Sequence, residues 1–464
     1  MGSELGINTL AKVSLAREIA YDVFLNALEN GADPQQECEI QYEKHAKKLS
    51  RVDRNFIKEI VYGSLRWYSK IYWILQNTSK RKLEDATPEI RASLICGTYQ
   101  IFYMDRVPDR AAVNESVEYV RAKSQANAVT FVNGILRQIA RKAQYFPKPD
   151  KKTHPIDYLS LQFAHPRWMV ERWAKFFKFE KLEEMLAANN KQPPINIRIN
   201  TLKTAASDAH ELQATLLREE KVKSDRRPLR CTLSLKSSPS FEEGSLFSKG
   251  EFTIQDESSQ LIAFMVDPKE GETIVDACAG SGGKLSHLFE LSEGKSTLIG
   301  IDPNESQIKR GQQTIDRLGH KGINWEQTDF LEWKPATAPH KILLDAPCSG
   351  LGILRRHPEG KWHKTADTIF KMQALQRKLI EHALNLLETG GELIYSVCSF
   401  EQEETVEQMK WIEKEYGDKL EIVAPAGRLP DYYKRYITSH QLLHIYAGNQ
   451  DNLDGFASFI VRKK

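Results

Sequence analysis

Two short motifs, Leu344-Asp-Ala-Pro-Cys-Ser-Gly350 and Tyr395-Ser-Val-Cys-Ser-Phe400, each set a cysteine at the end of an apolar, strand-like run. A thiolate is a strong nucleophile toward electron-poor carbon. Added to carbon 6 of a cytosine ring, it makes carbon 5 enamine-like and able to attack a methyl group on a sulfonium. A proton must then leave carbon 5 before the thiolate can be eliminated. Such chemistry uses one thiol for attack and has work for a second in product release. Cys348 and Cys398 supply two, and the motifs alone do not say which does which. A free thiol has a pKa of about 8.5, so the site must lower it or provide a base. Asp345, in the first motif, is placed to hydrogen-bond the base edge near N3. A buried strand-end location suits the protonated form that this donation needs. Either cysteine alone reads as core; two at consecutive strand ends beside a ligand loop read as function.

That ligand loop is Asp276-Ala-Cys-Ala-Gly-Ser-Gly-Gly-Lys284, which follows an apolar strand and opens a helix. Its glycines let the backbone approach a ligand closely, and the helix N-terminus adds partial positive charge. The spacing is not G-x-G-x-x-G, which disfavours a dinucleotide. Asp302 ends the next strand, about 20 residues past the loop, where a carboxylate can accept from both ribose hydroxyls. It also reads as a helix cap ahead of Glu305. Asp329 ends the third strand, at a height suited to an adenine amino group. Acids at the tips of successive parallel strands, with no pyrophosphate loop, point to S-adenosylmethionine.

The elements that must position these residues repeat strand, loop and helix from Asp267 onward. Strands are expected at Thr273 to Ala277, Leu298 to Ile301, Ile323 to Gln327, Lys341 to Leu344 and Glu392 to Val397. Helices are expected at Lys284 to Leu291, Glu305 to Leu318 and Thr368 to Leu387. Such alternation implies a parallel sheet covered by helices on both faces, with ligands bound beyond the carboxyl ends of its strands. Upstream, the apolar spacing up to about Tyr145 is helical throughout, enough for five to seven helices. Tyr145-Phe-Pro-Lys-Pro-Asp150 reads as a linker. Between them lie a helical stretch from His165 to Asn190, a helix from Ala205 to Glu219, and strands at Ile195 to Asn200, Cys231 to Leu235 and Phe252 to Gln255.

The 464 residues are too many for one ordinary core, and 41% hydrophobic with 27% charged residues is usual for a globular protein. A formal net charge of +3 neither demands nor excludes a nucleic-acid partner. No apolar run is long enough to span a bilayer, and the start of the chain has no signal-peptide pattern, so a cytoplasmic protein without a membrane partner is expected. The six cysteines form no C-x-x-C pair, so no metal site is expected. Cys38, Cys96 and Cys231 read as buried small hydrophobes. Two basic features suit RNA. Leu354-Arg-Arg-His-Pro-Glu-Gly-Lys-Trp362 offers cations and an aromatic ring in one loop, for phosphate contact and base stacking. Arg137, Arg141, Lys142, Lys148, Lys151 and Lys152 cluster at the end of the helical segment, as a phosphate stripe or a solvated face.

The motifs Asp345-Ala-Pro-Cys348-Ser-Gly, Cys398-Ser, Gly-Gly-Lys284 and Arg355-Arg-His-Pro-Glu-Gly-Lys-Trp362 resemble those of the NOL1/NOP2/Sun family of RNA 5-methylcytosine methyltransferases. Val61-Tyr-Gly-Ser-Leu-Arg66, Gly97-Thr-Tyr-Gln-Ile101, Val107-Pro-Asp-Arg-Ala-Ala-Val-Asn114 and Phe131-Val-Asn-Gly-Ile-Leu-Arg137 resemble a NusB-like RNA-binding domain. That domain is fused to this catalytic core in the bacterial branch acting on 16S ribosomal RNA. His165-Pro-Arg-Trp168, Asn189-Asn190, Pro193-Pro194 through Asn200, Gln255-Asp256 and Ser258-Ser-Gln260 resemble the connecting module. The resemblance implies that Cys398 is the nucleophile and that Cys348 assists proton removal and release. It implies that Cys278, Ala279, Gly280, Ser281, Gly282, Gly283 and Lys284 contact the cofactor. Asp302 and Asp329 would hold ribose and adenine, and Asp345 would serve the boundary of cofactor and substrate. The chain departs from the pattern in three places. Its loop reads Ala-Gly-Ser-Gly-Gly where Ala-Ala-Pro-Gly-Gly is common. Val397 stands where Thr is usual, and Leu442 to Asp454 lacks an Arg-Leu-x-Pro run.

The expected architecture is therefore multidomain. An all-α NusB-like domain covers 1–145, a small α/β connector 146–250, and an α/β class I methyltransferase domain of Rossmann-like type 251–464. The expected activity is methyl transfer from S-adenosylmethionine to carbon 5 of a 16S rRNA cytosine, by a monomer. The alternatives are the same chemistry on transfer RNA, or a non-catalytic RNA-binding assembly factor that retains the fold.

Overall fold

The computed structural model describes residues 13–124, 126–142, 147–204 and 209–464. Tyr145 and Phe146 of the expected linker, and the start of the helix expected from Ala205, lie outside the described residues. The chain forms two compact units. One runs to Asn190 and takes in His357–Lys364; the other holds Lys191–Arg356 and Thr365–Lys464.

The first unit is helical: α1 (Leu15–Asn30), α2 (Pro34–Lys44), α3 (Arg51–Thr78), α4 (Pro88–Tyr103), α5 (Asp109–Lys123), α6 (Ala126–Lys142), α7 (Pro155–Gln162), α8 (Arg167–Trp173) and α9 (Phe179–Asn189). Local signals set the helix ends. Ser50 and Asp53 form a reciprocal capping box on α3. Asp33 accepts from the amides of Gln35 and Gln36 ahead of α2, whose first residue is Pro34. The α3 face carrying Ile57, Ile60, Val61, Leu65, Ile71 and Leu75 is buried against α1 and α4 at helical spacing. Within this unit α7 packs on α3.

The second unit holds two sheets. β1 (Ile195–Ile199), α10 (Ala209–Glu220), β2 (Ser224–Arg226), β3 (Thr232–Leu235) and β4 (Phe252–Ile254) make an antiparallel sheet in the order β2-β3-β1-β4. Pairing of β1 with β4 carries this sheet past the expected boundary at 250. The chain continues as α11 (Glu257–Val266), β5 (Thr273–Asp276), α12 (Gly283–Leu291), β6 (Thr297–Ile301), α13 (Glu305–Leu318), β7 (Ile323–Glu326) and β8 (Lys341–Asp345). The single turn α14 (Gly360–His363) belongs to the helical unit. Then come α15 (Ala366–Leu386), β9 (Glu392–Val397), α16 (Val406–Tyr416), β10 (Leu420–Val423), β11 (Leu443–Ile445) and β12 (Phe456–Lys463).

The large sheet has the order β10-β12-β9-β8-β5-β6-β7, with β11 paired to β12. β5 to β9 are parallel, as the alternation of strands and helices predicts, whereas β12 and β10 are antiparallel. Successive residues feed opposite faces. Val275, Ile342, Leu344, Leu393 and Tyr395 join a core with α15. Ile274, Leu343 and Ile394 join one with α11 and α12. The chain steps outward from β5 through β6 to β7, then returns to the other side of β5 as β8. The crevice at that reversal is where an open α/β sheet binds its ligand.

Candidate active site

Parallel pairing of β8 with β9 sets Asp345 opposite Ser396. The Ser396 hydroxyl donates to Asp345 Oδ1 at 2.8 Å. Cys348 follows β8 after Ala346 and Pro347, Cys398 follows β9 directly, and there the two meet: Cys348 Sγ and Cys398 Sγ are 3.1 Å apart, and both are partly exposed. The loop carrying Cys348 then turns back under the other one. The Gly352 amide donates to the Cys398 carbonyl at 3.1 Å, and the Gly455 amide donates to the Gly352 carbonyl at 2.8 Å.

One strand inward, the glycine loop leaves β5. Gly280 and Gly282 take left-handed backbone conformations, φ 52° and 74°, which bend the chain sharply into α12. The Gly280 amide donates to Asp302 Oδ2 at 2.9 Å, so the acid at the tip of β6 also shapes the loop. A cavity of about 420 Å³ opens there. Cys278, Ala279, Gly280, Ser281, Gly283, Lys284, Asp302 and Asp345 line it, together with Gln255, Ser259, Asp276 and Gln307. Gly282 lies just behind, against Trp325. Asp329 is exposed and caps the turn Phe330–Glu332, accepting from the Leu331 amide at 2.9 Å; it is not part of the cavity wall.

The electrostatics are one-sided. Burial pushes the Asp276 carboxyl up to about 7, against the pull of Lys284 and with the push of Asp345. Burial, then Asp276, Asp345, Asp302 and Asp329, raise the Cys278 thiol, so four carboxylates bear on one point. Lys284 is the cation among them. Burial opposes its charge, but the ion pair with Asp345, then Asp276 and Cys398, hold its pKa above the ordinary lysine value. Its Nζ also sits 5.6 Å from the Phe456 ring centre. Both oxygens of Asp345 are acceptors, one from Ser396 and one from Lys284. The Lys284 ammonium therefore brings a charged donor to the spot where Asp345 is expected to serve the substrate. Cys348 is pushed well above the usual thiol range, first by its hydrogen bond with Cys398, then by burial, then by the charges of Cys398 and Glu404.

Residues 263–458 match the family described as 16S rRNA methyltransferase RsmB/F, residues 14–141 the NusB family, and residues 165–234 the ferredoxin-like domain of RsmF/B-like methyltransferases. The chain is 30% identical to the probable ribosomal RNA small subunit methyltransferase B of Bacillus subtilis, over 90% of this chain and 92% of that one. The chain belongs to the RsmB/NOP family of 16S rRNA methyltransferases. It is also 28% identical to ribosomal RNA small subunit methyltransferase B of Pectobacterium atrosepticum, over 83% of this chain and 88% of that one. A solved methyltransferase homolog protein from Pyrococcus horikoshii shares 26% identity and a TM-score of 0.55, covering 66% of this chain and 98% of that one.

Like its family, the chain is an S-adenosylmethionine-dependent methyltransferase. The cavity fits that cofactor on two independent counts. The carboxylates that line it, Asp276, Asp302 and Asp345, suit a ligand bearing sulfonium and ammonium charges. Asp276 Oδ1 is a buried acceptor with no hydrogen-bond partner among the described residues. The loop from Cys278 to Lys284, with Asp276 and Asp302, would hold it. Among the described residues no cluster suited to a metal ion occurs, and no helix is long and apolar enough to cross a membrane.

One sequence reading changes. The Arg355–Trp362 loop is not an open RNA-contacting surface. Arg355 and Arg356 are both ion-paired with Asp454, and Arg356 also with Asp256 at 2.7 Å. Lys361 is buried in the helical unit, donating to the Arg66 and Ala164 carbonyls at 3.2 Å and to Asn190 Oδ1 at 2.6 Å. Trp362 Nε1 donates to the Leu65 carbonyl at 2.7 Å, and its ring meets Tyr68 edge-on. In the basic cluster, Lys151 is ion-paired with Glu183, and the Lys142 side chain lies outside the described residues. Arg137 and Arg141 are exposed and, with Arg110, border a cavity of about 470 Å³.

Arg198 was missed. It is fully buried, ion-paired with Glu290, and donates to the Gly283 carbonyl at 2.9 Å and to Gln255. An arginine inside the apolar alternation Asn196-Ile-Arg-Ile-Asn200 was the available signal, since an inward-facing charge in a strand needs a built partner.

Proposed function

We propose that this chain methylates carbon 5 of a cytosine in 16S ribosomal RNA, with Cys398 bonded transiently to carbon 6 and Cys348 serving product release. The observation that carries the reading is the 3.1 Å approach of the two sulfurs, beside a Lys284–Asp345 pair that borders the cofactor cavity. The ribosomal target is supported by the family matched and by the names of the relatives.

Bound S-adenosylmethionine supplies an electrophilic methyl group. The protein's own residues do the rest. Cys398 bonds to carbon 6, and the electron pair of the 5,6 double bond becomes available at carbon 5. The Lys284 ammonium, held by Asp345, faces the negative charge that builds on the ring. After carbon 5 is methylated, its proton passes to Cys348 acting as a base, the electron pair of that C–H bond re-forms the 5,6 double bond, and the bond from carbon 6 to Cys398 breaks with its electrons returning to sulfur. In the resting site the hydrogen bond with Cys398, then burial, then the charge of Glu404 hold the Cys348 thiol protonated; bonding of Cys398 to carbon 6 removes the first of these. Attack at carbon 6 comes from above the ring, so the cytosine must be unpaired or flipped from its stack.

Two substitutions test the chemistry. Cys398→Ala abolishes methylation and any denaturant-resistant protein–RNA adduct. Cys348→Ala accumulates that adduct, because attack proceeds and release does not. An adduct that accumulates with Cys398→Ala instead reverses the two roles. Bisulfite mapping of total RNA with and without the protein tests the target. A change confined to transfer RNA would overturn the ribosomal assignment.

A further inference from the structure

Each cysteine of the pair is followed by a serine, and both serines end on one carboxylate. Glu404 is fully buried. It accepts from the Ser349 amide at 2.7 Å, and from Ser349 Oγ and Ser399 Oγ at 2.5 Å each. Gln376 Nε2 donates a fourth bond at 3.0 Å and also holds the Pro347 carbonyl at 2.9 Å. Gln376 is oriented in turn by Gln408 at 3.1 Å. The Tyr395 hydroxyl donates to the Glu404 carbonyl at 2.9 Å, which fastens the main chain at 404 to β9. The two serine oxygens are themselves 3.2 Å apart.

This is an unusual use of a core position. Burying a carboxylate is unfavourable unless its lone pairs are occupied, and an apolar side chain of similar size serves stability as well or better. Here the bonds go to residues adjoining both sulfurs. Two loops far apart in sequence are thereby tied to one rigid group. Without it, the β8–β9 register, which ends at Asp345 and Ser396, and the Gly352 amide on the Cys398 carbonyl would still relate the loops, but neither holds the residues that follow the two sulfurs.

We propose that Glu404 is a positioning residue for the two-cysteine chemistry, setting the separation of Cys348 and Cys398 through Ser349 and Ser399. The proposal rests on the reading that both sulfurs act on one ring. Glu404 does not line the cofactor cavity, so cofactor binding should not depend on it.

The test uses the full-length protein carrying Ser349→Ala and Ser399→Ala together, beside Glu404→Gln. A serine hydroxyl can accept as well as donate, so the amide of Glu404→Gln keeps the strap and rescues the spacing. One readout needs no RNA: diamide oxidises the two thiols to a disulfide at a rate set by how the sulfurs are held. Disulfide formation between Cys348 and Cys398, followed by mass spectrometry, slows about tenfold or more in the double serine variant and stays near wild type in Glu404→Gln. In RNA methylation the double variant loses about tenfold or more in kcat, with KM for S-adenosylmethionine changed less than about twofold. An unchanged oxidation rate in a folded double variant overturns the proposal. So does a KM for S-adenosylmethionine that rises in step with the loss of kcat, which marks a general core defect. If wild-type protein methylated no cytosine at all, the two-cysteine reading would fail, while the oxidation rates would still report on Glu404.

Discussion

Lys284 and Asp345 are ion-paired across the mouth of the cavity, one from the glycine loop after β5 and the other from the tip of β8. The pair joins the wall of the cofactor cavity to the strand that leads into Cys348. Lys284→Met leaves the carboxylate without its cation and the ring without a donor. Single-turnover methylation falls about 10²-fold or more. Asp345→Asn keeps the shape and loses the ion pair, and should fall by a comparable factor. Retained turnover in Lys284→Met would remove the ammonium from the chemistry.

Asp276 gives the site a pH-dependent cost. Burial raises its carboxyl from 3.8 to about 7, so between these values the folded protein holds a proton that the unfolded chain has released. Stability contributed here falls as pH rises from about 4 to about 7, and the penalty is complete above that. Asp276→Asn therefore raises the melting temperature at pH 8, by an amount corresponding to about 2–4 kcal/mol, and much less at pH 4. Calorimetry in the absence of cofactor checks the sign. A variant equally stabilised at both pH values would show that ionisation is not the cause.

Trp362 packs within the helical unit, with its indole N–H on the Leu65 carbonyl. Trp362→Ala should lower the stability of that unit by about 3 kcal/mol through lost apolar contact and an unpaired carbonyl. Thermal melting and limited proteolysis report it. A Trp362→Ala protein with wild-type stability but weakened RNA affinity would restore the base-stacking role.

Gly352 has no room for a side chain. An added Cβ would lie 2.3 Å from the Gly455 carbonyl oxygen and 2.9 Å from that of Cys398. These atoms are backbone and cannot swing aside. Gly352→Ala should cost about 1–3 kcal/mol and displace the loop bearing the proposed nucleophile. Methylation should fall well beyond the loss of folded protein, as measured by kcat per folded molecule. Wild-type kcat would show that the loop tolerates the shift.

Much of the site was legible in the sequence because its chemistry is local. The glycine loop, Asp302, and the two cysteine motifs sit at strand tips that apolar runs mark out in advance. The helical first segment and the parallel sheet follow from periodicity for the same reason. Arg355, Arg356, Lys361 and Trp362 misled because composition cannot tell an exposed cation from one whose partner is distant in sequence. Asp454, the partner of both arginines, lies about a hundred positions away. The partners of Asp345 were hidden likewise: Lys284 and Ser396 are its neighbours only once β5, β8 and β9 are side by side.

The sequence by itself determined which residue types were present for the chemistry and which strands would carry them, since side-chain identity and periodicity are properties of neighbouring positions. Only the tertiary structure decided that two sulfurs 50 positions apart stand 3.1 Å from each other, and that Glu404 joins the residues beside both. Those distances are set by strand register and by buried hydrogen bonds between remote segments. No window of the chain contains both partners.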